Sequence, residues 1–263
     1  MINKPAIGVA AAVVVVAAGT WYYLQSRHTP PAPVPVVETP APPPPAEPAI
    51  QHPLPEDQAA PSRTPLPALT DSDAAIGDAL GKVAGASAVH DYLRPESIVR
   101  HLVVTVDNLP RQKVAVDKRP TNAAPGSFVA DGDELHATLD SRNFARYEPM
   151  VAVIGKTDMQ QLAAVYVHYY PLFQQAYQDL GYPNGYFNDR LVQVIDNLLA
   201  APQSSGPIEL VRPNVMYTFA DPGLESRSAG QKLLIRMGPD NAAIIKSKLT
   251  ELRAAITAAP PKR

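Results

Sequence analysis

Residues 158–181 read DMQQLAAVYVHYYPLFQQAYQDLG, and the spacing within them decides the fold class. Asp158 and Gln161 have capping-box spacing, with Asp in place of Ser or Thr. Leu162, Val165, Tyr169, Leu172, Phe173, Ala176 and Leu180 then recur at intervals of three and four, the period of one helical face. Gly181 stands where a left-handed C-cap belongs. Pro171 lacks an N–H and clashes with the preceding turn, so the run either kinks there or divides into two abutting helices.

The same period extends outward on both sides. FNDRLVQVIDNLLAA, from residue 187, places Leu191, Val194, Ile195, Leu198 and Leu199 on one helical face. QKLLIRMG ends at Gly238, and Pro239 opens a last helix with Ile245, Leu249, Leu252 and Ile256 facing inward. Upstream, LTDSDAAIGDALGKVAG offers Asp71, Ser72 or Asp73 as N-cap and Ile76, Ala79, Leu80 and Val83 as a stripe. Gly77, Gly81 and Gly85 recur on one side of that helix, which suggests close packing against another helix because each costs about 1 kcal/mol relative to alanine. PESIVRHLVVTVDNLP, with Ile98, Val99, Leu102, Val103 and Val106, suits a helix or a buried strand. Short β candidates are few: SFVA and ELHATL as a small hairpin, then PIEL and VMYTF. These readings predict a mainly α fold, a helical globular domain over residues 68–258 with a minor β element and a loose tail at 259–263.

Composition divides the rest of the chain. Fifteen of the 30 prolines lie between Pro30 and Pro67, a stretch without glycine and without an apolar face, so residues 30–67 read as a disordered, Pro-rich, semi-rigid linker. Residues 6–24, AIGVAAAVVVVAAGTWYYL, carry no charge, and a helix of that length spans about 28 Å. The run continues into Trp21, Tyr22 and Tyr23, an aromatic cluster of the kind found where a helix leaves a bilayer. Residues 1–29 are therefore expected to anchor the chain in a bacterial inner membrane, N-terminus inside. A cleaved secretory signal ending near Ala17, Ala18 and Gly19 is the alternative.

Several chemistries are excluded by residue type. No cysteine is present, so thiolate nucleophiles, disulfides and Cys-ligated metals cannot occur. Residues 68–263 balance 20 Lys and Arg against 21 Asp and Glu, which gives no basic excess for nucleic acid. None of the six histidines forms an HxH, HxxxH or HExxH arrangement, and no cofactor is implied. GDALGK at residues 77–82 has three residues between its glycines where a phosphate loop has four, and Val83 replaces the required Ser or Thr. Asp131, Asp133 and Glu134 lie in a glycine-containing segment and read as a solvated turn.

The strings LPALTDSDA (66–74), VDNLPR (106–111), FARYEP (144–149), YYPLFQQAYQDLGYP (169–183), YTFADPGLE (217–225) and QKLLIRMGPDN (231–241) resemble the proteobacterial domain-of-unknown-function family numbered 3014. Members of that family resemble this chain in having a single span and a proline-rich spacer. The resemblance supports the domain boundary and implies no catalytic residue.

Seven of the 11 tyrosines fall between Tyr147 and Tyr186, a composition that suits peptide or glycan surfaces and equally suits a helical core. Arg142 and Arg146 lie one turn apart if RNFARYEP is helical, and Arg236 in QKLLIRMG reads as half of an internal ion pair. Pro183 and Gly185 place Tyr182 and Tyr186 on a surface turn. The expected binding residues are thus Arg142, Arg146, Tyr147, Tyr182 and Tyr186. Alanine at Tyr182 or Arg146 is expected to weaken partner capture while leaving the melting temperature within a few degrees of wild type. The expected role is a non-enzymatic interaction or scaffold protein with a periplasmic domain that engages an envelope protein or cell-wall component. The alternative is a cell-wall-acting enzyme or peptidoglycan-binding module.

Overall fold

The computed structural model describes residues 49–55, 65–133, 136–203 and 206–257. The expected anchor, most of the expected linker, Glu134 and the tail lie outside these. Among the described residues no helix is long and apolar enough to cross a membrane.

The domain is mainly helical, with a small antiparallel sheet. A 3-10 turn at Leu69–Asp71 leads into α1 (Asp73–Ala84), which Gly85 separates from α2 (Ala86–Tyr92). PESIVRHLVVTVDNLP resolves as a helix, α3 (Ile98–Asn108), with Ile98, Val99 and Val103 buried. Its N-terminus is capped from another helix: the Asp73 carboxylate accepts from Ser97 N at 2.7 Å and Ile98 N at 2.8 Å. Asp73 thus serves α3, and Ser97 sits in the left-handed region at φ 51° beneath that cap.

The stretch around Pro171 is two helices, α6 (Met159–His168) and α7 (Tyr170–Asp179), which follow α4 (Arg142–Ala145) and α5 (Glu148–Lys156). Asp158 caps α6 by accepting from Gln160 N at 2.8 Å and Gln161 N at 3.2 Å, while the Gln161 amide returns to the carboxylate at 3.2 Å. Pro171 falls in the first turn of α7, where its missing N–H has no intrahelical partner to lose. The break at Tyr169 reorients the chain, so one stripe cannot run through both helices. α6 buries Met159, Ala163, Tyr166 and Val167 in place of the expected Leu162 and Val165, and Leu180 is exposed.

α8 (Phe187–Leu199) buries Phe187, Val192, Val194 and Ile195. Two short segments follow, α9 (Pro222–Glu225) and α10 (Ala229–Arg236), before the long α11 (Pro239–Thr257). α11 packs on α5, α6 and α8, and α3 packs on α7 and α8. The main core joins Ile76, Val103, Phe173, Phe187, Ile195 and Ile256 from these helices.

The β candidates form one four-stranded sheet in the order β1 (Ala130–Asp131), β2 (Ala137–Leu139), β3 (Glu209–Val211) and β4 (Thr218–Phe219). All pairings are antiparallel, with Ala130 opposite Leu139, Ala137 opposite Leu210, and Leu210 opposite Phe219. The period-2 alternation puts Ala137, Leu139, Leu210 and Phe219 on the covered face against Ile235 of α10. Arg236 reaches the Tyr217 carbonyl at 3.3 Å and lies 5.0 Å over the Phe219 ring, so its direct contacts are a carbonyl and an aromatic face, while a carboxylate, Glu225, feels its charge at longer range.

Gly238 joins α10 to α11 at φ 88°, and an added Cβ would meet the Phe144 ring at 2.6 Å. The turn therefore needs both the left-handed backbone and the empty side-chain position.

Candidate interaction surface

The expected binding residues separate into two groups that share no hydrogen-bonding partner. Arg142 closes on Asp140, with Nε donating to Oδ2 at 2.8 Å and its backbone N to Oδ1 at 2.7 Å. These bonds hold the Asp140 carboxyl below its ordinary range and raise the Arg142 guanidinium. Arg146 fastens the preceding loop, donating to the carbonyls of Pro125 at 2.7 Å and Gly126 at 3.1 Å. Its guanidinium also lies 5.9 Å from the Tyr147 ring, and Tyr147 packs against a small cluster of Ala201, Leu234, Met237 and Ala242. The two arginines belong to one local brace, and Asn143 between them completes it by bonding both N and O of Val129.

Tyr182 and Tyr186 are half-buried, a correction to their expected outward orientation. Tyr182 stacks on Tyr177 with centroids 4.5 Å apart and planes 19° apart. Its hydroxyl accepts from Arg111 at 2.9 Å and donates to Asp107 at 3.3 Å. The turn is where the glycine and proline put it, but stacking draws the ring back over the helix end. Tyr182→Ala is accordingly expected to destabilise the domain by about 2 kcal/mol, through lost stacking and a disrupted polar cluster. That lowers the midpoint of a circular-dichroism melt by about 4–8 °C.

The polar centre of that region is Asp107, only 3% exposed on α3. Its carboxylate accepts from Arg190 Nε at 3.0 Å and Arg111 Nη2 at 2.5 Å, and its carbonyl accepts from Arg190 Nη2 at 2.7 Å. The nearby charge raises the Arg111 guanidinium above its ordinary value. One carboxylate therefore ties the end of α3 to α8 and to the Tyr182 turn. Sequence reasoning passes over Asp107, although a charge directly after the mostly apolar stretch LVVTV at residues 102–106 is its signal.

A second cluster surrounds Asn188, fully buried at the start of α8. Its Oδ1 accepts from the Tyr166 hydroxyl at 3.1 Å, and its Nδ2 donates to the carbonyls of His52 at 2.8 Å and Ile256 at 3.3 Å. Burial pushes the hydroxyls of Tyr166 and Tyr170 upward in pKa. Residues 49–55 lie across this helix start as a strap. The Asp189 carboxylate accepts from Gln51 N at 3.0 Å and His52 N at 2.6 Å, and the Tyr186 hydroxyl accepts from Leu54 N at 3.3 Å. Leu54 packs against the main core and Pro55 is buried. The folded unit accordingly includes residues 49–55, inside the stretch that composition assigns to the linker.

The most exposed apolar side chains on the sheet are at the β3–β4 hairpin tip, where Val215 is 77% and Met216 74% accessible. The tip is braced: Arg212 Nε donates to Val215 O at 3.2 Å, and the Arg212 guanidinium lies 5.5 Å from the Tyr217 ring. Phe128 also meets Tyr217, with ring centroids 5.8 Å apart. Two large apolar groups are thus held in water on a fixed support.

A family model described as Protein of unknown function (DUF3014) matches residues 98–253. The chain belongs to that family. The DUF3014 match takes in Asp107, the Tyr182 turn, α8 and the whole sheet, while α1, α2 and the strap lie outside it. No curated protein and no solved structure matches the chain. Among the described residues no three acidic or histidine side chains converge as a metal site.

Proposed function

We propose that this DUF3014 protein is a single-span protein of the bacterial inner membrane whose C-terminal domain works in the periplasm as a non-catalytic docking module for another envelope protein. The observation that carries the docking role is the braced hairpin tip with Val215 and Met216 held in solvent. Exposed, contiguous apolar side chains are characteristic of interaction sites, and methionine adapts its shape to a partner. The uncharged run at residues 6–24 supports the anchor, and the proline-rich stretch after it supports a domain working away from the bilayer.

The reading is tested in intact cells with a photo-crosslinking residue at position 215 of the full chain. An adduct with an envelope protein is expected, and Met216→Asp is expected to abolish it. Because position 216 is exposed, that substitution should leave the thermal midpoint within about 2 °C of wild type. Adducts confined to cytoplasmic proteins reject the orientation and the function together. Adducts to peptidoglycan transfer the role to cell-wall binding.

A further inference from the structure

The strap fills a site at the start of α8 that recognises main chain. The Asp189 carboxylate accepts from Gln51 N at 3.0 Å and His52 N at 2.6 Å, the Tyr186 hydroxyl accepts from Leu54 N at 3.3 Å, and the Asn188 amide donates to His52 O at 2.8 Å. Pro53 and Pro55 have no N–H and ask for no acceptor. From Gln51 to Pro55 every N–H of the segment is thus bonded by a side chain of the site. Sequence enters through packing: Leu54 lies against the main core and Pro55 is buried, while Gln51 and Pro53 are exposed.

The site is incomplete without that segment. Asn188 is fully buried, and with the segment gone its Nδ2 keeps only the Ile256 carbonyl, at 3.3 Å, among its protein partners. Asp189 loses both N–H donors, and the core loses the packing of Leu54. Buried hydrogen-bonding groups left unpaired are costly, so the site favours an occupant.

The segment comes to the site from far along the chain, 138 positions separating Gln51 from Asp189, and every copy of the protein carries the same residues. Seating the strap of one copy on the α8 of another remakes each of these bonds, which makes exchange a low-cost route to association. What opposes it is tethering, which gives the chain's own strap an effective concentration of about millimolar on a short flexible link.

We propose that the start of α8 is a peptide-binding site whose ligand is the Gln51–Pro55 segment of a second copy, with the chain's own segment as its competitor. The ligand class is a short segment with a leucine between two prolines, read through its main chain. The observed fit of this very sequence selects the second copy over a segment of another protein.

The test pairs two full-chain variants. Leu54→Asp spoils the strap and keeps the site, whereas Asp189→Ala combined with Tyr186→Phe keeps the strap and weakens the site. Each carries one dye on an introduced Arg263→Cys, since the native chain has no cysteine. Mixed together, the two are expected to show saturable energy transfer well above that of either variant mixed with itself. Free peptide of residues 47–58 is expected to abolish the signal, and the same peptide with Leu54→Asp to be weaker by about tenfold or more. Equal transfer in all three samples overturns the second copy as occupant. Absence of peptide binding to the Leu54→Asp chain overturns the site itself. Because Leu54→Asp disturbs packing, the wild-type chain gives an independent reading. Peptide well above the tethered concentration of about 1 mM should speed hydrogen exchange at Gln51 N and His52 N, and unchanged exchange there overturns the proposal.

Discussion

Asp107→Ala is expected to destabilise the domain by about 3–5 kcal/mol, the usual cost of removing one partner from a buried ion pair. The effect is large because the carboxylate serves two guanidinium groups at once. Without it, Arg190, itself mostly buried, and Arg111 face each other with no counter-charge, and the Tyr182 hydroxyl loses its acceptor. For a domain of roughly 200 residues the loss corresponds to about 6–20 °C in thermal midpoint. A second variant separates charge from shape: Asp107→Leu combined with Arg190→Met removes the pair while keeping apolar volume, and should recover much of the loss. If Asp107→Ala melts within 2 °C of wild type, the cluster does not hold α3 to α8.

Asn188→Ala should cost about 3 kcal/mol and release the strap as well. The buried Tyr166 hydroxyl is left without its acceptor, and each buried polar group stranded in this way costs about 1–3 kcal/mol. The carbonyls of His52 and Ile256 lose the same donor, so one truncation reaches the strap, α6 and the end of α11 together. Hydrogen exchange distinguishes this from a general loosening. Asp189→Ala removes only the acceptor for Gln51 N and His52 N, so it should speed exchange at those two amides while the melting temperature hardly moves. Asn188→Ala should do both. Equal melting of the two variants would show that Asn188 contributes nothing beyond the strap.

The helices are legible in the chain because a 3.6-residue period is local information, and Asp158, Pro171, Gly181 and Pro239 mark their ends in the same local way. The four strands are legible as short β candidates, the first two as a hairpin, but their union in one sheet is not. Ala137 pairs with Leu210 across more than seventy residues, and no local pattern carries that distance. Burial of individual side chains fails for a related reason, since the break at Tyr169 turns α6 so that Tyr166 takes the core position its period assigns to Val165. Of the expected site, Arg142 and Arg146 are near each other as their spacing suggests, but a one-dimensional reading cannot see that Pro125, Gly126 and Asp140 already occupy them. The strap is hidden by composition. Its proline content by itself suggests a free linker, but the backbone bends at Gln51 and His52, and that bend is what turns two successive N–H groups onto the one carboxylate of Asp189.

That strap changes where a mechanical force would enter the domain. Tension carried by the chain ahead of Ile50 is delivered first to Tyr186, Asn188 and Asp189, at one end of α8, and reaches Pro65 only after those attachments fail. Farther along the same helix, Asp196 is fastened to Arg253 of α11 at 2.6 Å, so the pull is shared by a helix pair at the centre of the molecule. Rupture of the strap would lengthen the tether in one step, giving the protein a short and a long reach separated by a few hydrogen bonds and the packing of Leu54 and Pro55.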